Sequence, residues 1–100
     1  MDSGIRAMVD AVDEARRQLR ENALPKARDN GRDKVPAAEE AQLLGSLAAL
    51  VDAAGELAAA MTARINTPDT RKTYRLAGKR LCDEAGHLRG DQRDAAKRAE

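Results

Sequence analysis

The chain has no Phe, no Trp and a single aromatic residue, Tyr74. A core built on ring packing is therefore excluded, and so is a row of aromatics on which unpaired bases would stack. One cysteine, Cys82, rules out an intrachain disulfide framework. One histidine, His87, is too few for a histidine-rich metal centre within one chain. No uninterrupted apolar run approaches the roughly 18–20 residues that span a bilayer. The opening MDSGIRAMVD has no apolar stretch of the signal-peptide kind. Together these absences predict a cytoplasmic chain with no membrane contact. Charge of one sign is also lacking: 18 Lys plus Arg stand against 17 Asp plus Glu, a formal net charge of +1. That balance argues against a nonspecific polycation and leaves room for a local basic patch.

What is present is alanine, 21 of the 100 residues, with ten leucines as the main bulky apolar group. Alanine is the best helix former and permits close helix approach, but it buries little area. The composition predicts an all-α fold in one domain, 1–100. It also predicts completion as a helical-bundle oligomer, because a small monomer with so little bulk is only modestly stable.

Periodicity divides the chain into three helices. Ile5, Met8, Val12, Ala15 and Leu19 recur at spacings of three and four, which predicts a helix over 3–24. Within it Asp13 and Arg17 form an i,i+4 pair of favourable orientation. The segment PKARDNGRDKVP has no apolar period and contains Asp29-Asn30-Gly31, so residues 25–35 read as an exposed loop. A helix over 36–65 follows, with Pro36 suited to the first helical position and Glu39 and Glu40 near the positive end of the helix dipole. Leu43, Leu47, Leu50, Ala54, Leu57 and Met61 step by four and three. Leu44, Val51, Ala58 and Ile65 add a second stripe of period seven. The combined face is too wide for one two-helix seam and predicts more than one neighbour. Gly45 and Gly55 point to a tight crossing.

The pentad NTPDT then gives a sharp boundary, with Asn66 ending one helix, Thr67 capping the next and Pro68 at its first position. A helix over 68–98 follows, and the short connection predicts a tight antiparallel hairpin of helices two and three, coiled-coil-like in its packing. After Leu88 this last helix has almost no bulky apolar residue. Its end, GDQRDAAKRAE, is expected to fray, and Gly90 to mark a break.

The segment RKTYRLAGKR carries the densest positive charge. At about 100° per residue, Arg71, Arg75, Lys79 and Lys72 fall on one outward stripe, with Arg80 further round. Leu76 lies among these charges, away from the expected core. The leading functional expectation is a small non-enzymatic interaction module, an adaptor, inhibitor or regulator. Its partner is another protein, bound through Leu76, Arg75, Lys79 and Arg80. The alternative is a dimeric nucleic-acid-binding regulator in which Arg71, Lys72, Arg75 and Lys79 track phosphates, helped by Arg28, Arg32 and Lys34. Asp52 and Glu56 are candidate internal partners for the same cations.

Signals for catalysis are thin. Glu84 and His87 match E-x-x-H, a pattern that contributes metal ligands in di-iron helical bundles. Glu84 falls at the core edge and His87 outward, so the pair is a weak metal candidate, and Asp83 with His87 is the simpler pairing. Cys82 falls at the boundary of core and basic stripe and reads as a small, partly buried residue; were it exposed, the nearby cations would lower its thiol pKa. There is no glycine-rich phosphate loop, and no cofactor is implied.

Overall fold

The computed structural model describes residues 2–29 and 34–100, and every regular element among them is helical. The chain divides into two compact units, Met1–Lys34 and Val35–Glu100.

The first unit is one continuous helical run. It comprises α1 (Ser3–Gln18), a π-helical turn (Leu19–Ala23) and α2 (Leu24–Arg28). Asp2 starts it: its carboxylate oxygen accepts from the Gly4 N–H at 2.6 Å and the Ile5 N–H at 3.3 Å. This satisfies donors that a helix end leaves without intrahelical partners. The run passes through Pro25, so helix occupies part of the expected 25–35 loop. The π turn explains how. The Leu24 N–H reaches back five residues to Leu19 O, and Pro25 then sits in the first turn of α2. A proline is tolerated there because no N–H is required of it. Residues 30–33, including Arg32, lie outside the described residues.

Along α1 the expected Asp13–Arg17 pair does not form. Arg17 instead bridges Glu14, at 2.6 Å, and Glu21, at 3.1 Å, while Arg16 lies 3.9 Å from Asp13. The guanidinium of Arg17, followed by the amide of Gln18, holds the Glu14 carboxyl below its ordinary pKa.

The second unit is the hairpin of α3 (Ala37–Thr62) and α4 (Pro68–Arg98). Pro36 occupies the N-cap position of α3, in extended backbone, rather than its first helical position. Glu39 and Glu40 lie in the first turn, where the helix dipole favours anions. α3 ends at Thr62, short of Ile65, and the Arg64 N–H closes a last turn on Met61 O. Thr67 takes the N-cap position of α4 in extended backbone, although its side chain makes no capping bond. The turn is held instead by Arg71, whose Nε donates to Ile65 O at 2.9 Å.

The seam between α3 and α4 is made of small residues. Ala48 and Gly55 of α3 are buried, as are Gly78, Ala85 and Ala95 of α4. Around them Ala41, Leu44, Val51, Ala58 and Thr62 of α3, and Tyr74, Leu81, Leu88 and Gln92 of α4, are half-buried. Each set advances by threes and fours, the heptad spacing of a coiled coil. Glycine is required where the backbones come closest. A Cβ on Gly55 would stand 2.8 Å from Cys82 Sγ and 3.1 Å from Gly78 O. A Cβ on Gly78 would stand 3.0 Å from Gly55 O.

Three ties run between the helices. Arg89 pairs with Asp52 at 3.3 Å, Arg98 pairs with Glu40 at 3.1 Å, and Gln92 fills the space beside Gly45. The expected fraying of GDQRDAAKRAE is thereby corrected. α4 continues through Gly90 to Arg98 with Ala95 fully buried, because alanines and Gly45 on α3 let α4 pack without bulky side chains.

Candidate functional site

Two stripes run along α3, one residue apart in phase. The seam stripe is Ala41, Leu44, Ala48, Val51, Gly55, Ala58 and Thr62. The second is Glu40, Leu43, Leu47, Leu50, Ala54, Leu57 and Met61, continued by Arg64 beyond the helix end. At about 100° per residue the centres of the two stripes lie about 100° apart, so a helix packed on one leaves much of the other open. Leu43, Leu47 and Leu50 are 65%, 39% and 37% exposed, while Leu57 and Met61 are half-buried. Leu43, Leu47 and Leu50 therefore stand outside the hairpin seam, and the fully buried seam positions are alanine and glycine. Single exposed leucines are ordinary; three consecutive steps of one stripe form an apolar surface.

α3 is also long and apolar enough, by length and composition, to cross a membrane. Uninterrupted apolar runs do not reveal this property. Asp52 and Glu56 break every run, yet alanines and leucines dominate the helix as a whole. Both acids lie in the middle of α3, where a charged side chain in hydrocarbon costs roughly 2.5–3.5 kcal/mol. Asp52 is committed to Arg89 of α4.

The basic run on α4 is less uniform than its sequence suggests. Arg71 falls in phase with the seam and is tied to Ile65 O, so it belongs to the hairpin turn and not to an outward stripe. Lys79 pairs with Asp83 at 3.2 Å. Lys72, Arg75 and Arg80 are exposed and make no ion pair among the described residues. Asp52, proposed from sequence as a partner of these cations, pairs with Arg89 instead. Leu76 is half-buried rather than freely exposed. Arg28 and Lys34 are exposed but belong to the N-terminal unit, and Arg32 lies outside the described residues.

Cys82 sits in the seam against Gly55, among acids rather than cations. Burial pushes its thiol pKa up, and hydrogen bonding to Asp52 with the charges of Asp52, Glu56 and Asp83 acts in the same direction. Cys82 is the small, partly buried residue that its sequence position suggests, and the alternative of an exposed thiol lowered by cations is not met, because α3 contributes its acids at this level.

Glu84 and His87 do approach one another, with Oε1 and Nδ1 3.8 Å apart, and both are exposed. Asp83 turns to Lys79 and leaves His87 to Glu84. No third Asp, Glu, His or Cys joins them among the described residues, so the arrangement offers a metal two ligands at most. A shallow concave surface on α1 and the π turn is lined by Asp10, Asp13, Glu14, Arg16, Arg17, Arg20 and Glu21. Its charges largely satisfy one another through the Arg17 bridges.

No protein-family model, no curated protein and no solved structure matches this chain.

Proposed function

We propose that this chain is a small non-enzymatic protein–protein interaction module, an adaptor, inhibitor or regulator, that acts by occupying a partner's surface with α3. One observation carries the reading: Leu43, Leu47 and Leu50 stand exposed on a helix whose other face is already packed on α4. A leucine moved from water into an interface contributes roughly 1.5–3 kcal/mol when fully covered. Three in register supply the apolar anchor that binding requires. The cations Arg75, Lys79 and Arg80 of α4 then supply orientation and selectivity rather than the anchor. Half-buried Leu76 is a secondary contact.

Exposed Lys72, Arg75 and Arg80 favour a second reading, phosphate contact in a nucleic-acid-binding regulator. With Arg71 used by the turn and Lys79 paired, this patch is smaller than the sequence stripe. The two readings separate in one titration series. Labelled mixed-sequence duplex DNA is added at about 50 and 200 mM salt, and phosphate contact predicts binding at low salt lost by a decade or more at high salt. The interaction-module reading predicts no DNA binding at either salt. It also predicts that protein complexes crosslinked in the native lysate disappear for L43A/L47A/L50A and persist for R75A/R80A. Salt-sensitive DNA binding together with unchanged complexes for the leucine variant would reverse the assignment.

A further inference from the structure

The second stripe of α3 has a chemical palindrome. In order it reads Glu40, Leu43, Leu47, Leu50, Ala54, Leu57, Met61, Arg64, with spacings of three, four, three, four, three, four and three. Any heptad stripe can face another heptad stripe. What singles this one out is its ends, an acid at one and a base at the other, at equal distances from the level of Asp52. Turned end for end about that level, Glu40 comes opposite Arg64, Leu43 opposite Met61, Leu47 opposite Leu57 and Leu50 opposite Ala54. Every apolar position meets an apolar position and each terminal charge meets its opposite.

The geometry points to a second copy of this chain as the occupant of the stripe, docked antiparallel through α3 about a two-fold axis level with Asp52. This rests on the reading of α3 as a docking face and names its partner. The arrangement is isologous: the same surface serves both subunits, and the two Glu40–Arg64 pairs form at once. A parallel pairing would place Glu40 beside Glu40 and Arg64 beside Arg64, which like-charge repulsion disfavours. The bulk of the stripe is also complementary end for end. The smallest residue, Ala54, meets Leu50, and the most adaptable, Met61, meets the most exposed leucine, Leu43.

Local structure permits these roles. Glu40 lies in the first turn of α3 with its side chain partly open, although Arg98 of the same chain reaches it at 3.1 Å. A carboxylate has two oxygens and accepts from more than one donor, so Arg98 need not be displaced. Arg64 follows the helix end in a turn closed on Met61 O, which keeps it close to the phase of the stripe. From Glu40 to Arg64 the stripe is about 36 Å long at about 1.5 Å per residue. α3 would then contact α4 on one stripe and its own copy on the other, about 100° round the helix, which accounts for a helix with two heptad stripes in one hairpin.

The test uses the full chain in sedimentation equilibrium. The expected wild-type mass at high concentration is twice the 10.8 kDa of one chain. L47D should weaken the dimer by roughly tenfold or more while helix content is unchanged. R64E should weaken it, because two acids then face each other at each end, and E40R/R64E should recover most of the loss. In a C82S background, A53C should form a disulfide-linked dimer, since residues just off the stripe at the two-fold level approach each other only when the helices run antiparallel. A dimer indifferent to L47D, or an R64E defect that E40R deepens, would overturn the proposal. A wild-type monomer would overturn it too, and C82S/L47C then separates the two failures. Rapid maleimide labelling of Cys at position 47 leaves α3 an open docking face for another partner. Slow labelling in a monomer means that the chain covers its own stripe, and the docking reading fails with the dimer.

Discussion

Gly55 and Gly86 differ by what surrounds a hypothetical methyl group, and that difference has a measurable consequence. At Gly55 the added Cβ meets Cys82 Sγ at 2.8 Å and the Gly78 carbonyl at 3.1 Å, a short side chain and a backbone with little room to yield. At Gly86 nothing lies within 4 Å. Both glycines are interior to helices, so Ala should gain up to about 1 kcal/mol of propensity at either site. Overpacking costs about 1–3 kcal/mol and outweighs that gain at Gly55 alone. Chemical denaturation should therefore show Gly55→Ala destabilised and Gly86→Ala stabilised by about 0.5–1 kcal/mol. Equal shifts in the two variants would mean that the seam is looser than the contacts indicate. Cys82, in the same crowded place, gives a pH signature. Its thiol pKa is raised in the fold, first by burial and then by the acids around it. The stability this contributes is fully present below the unfolded chain's thiol pKa and is lost as pH rises through the folded value. The pH midpoint for alkylation of native protein should lie above that of an unstructured cysteine peptide, and adding denaturant should move it down. A native midpoint below that of the peptide would place cations, not Asp52, at the thiol.

Among the elements, α3 carries two stripes of unlike composition, and this is where sequence reading was both informative and misleading. The width of its apolar surface signals two neighbours, and NTPDT marks the sharp hairpin turn. All-α class and hairpin are legible because alanine content, heptad spacing and proline position all act locally. Which stripe α4 chooses is not a local property. Bulk suggests that Leu43, Leu47 and Leu50 form the core, yet the close helix approach is at Gly55 and Gly78, where backbones meet. The same logic hides the end of α4. Read alone, Gln92 and Ala95 look too weak to pack, but opposite Gly45 and the alanines of α3 their small size fits. Pro25 hides the continuation of the first helix, because the π turn that admits it has no sequence signature of its own. Of the candidate binding residues, the exposed cations Arg75, Lys79 and Arg80 were readable from the helix period. The removal of Arg71 from that group was not, since it depends on a bond to Ile65 O across the turn.

For the whole molecule, the central claim is that Leu43, Leu47 and Leu50 of α3 serve association and the alanines and glycines of the seam serve the fold. Two units, Met1–Lys34 and Val35–Glu100, make up the chain, and the claim concerns the second. A leucine within a core loses about 2–5 kcal/mol on truncation to alanine, whereas a surface substitution usually stays within about 0.5 kcal/mol. Alanine is also the better helix former, so the exchange adds no propensity cost. The measurement to make first is urea denaturation of wild type and L43A/L47A/L50A, at a dilution where the wild type is monomeric. The account predicts unfolding free energies within about 1.5 kcal/mol of each other, the sum of three surface changes. A loss of about 6 kcal/mol or more, the sum expected for three core leucines, would contradict it, because the stripe would then be holding the protein's own fold together.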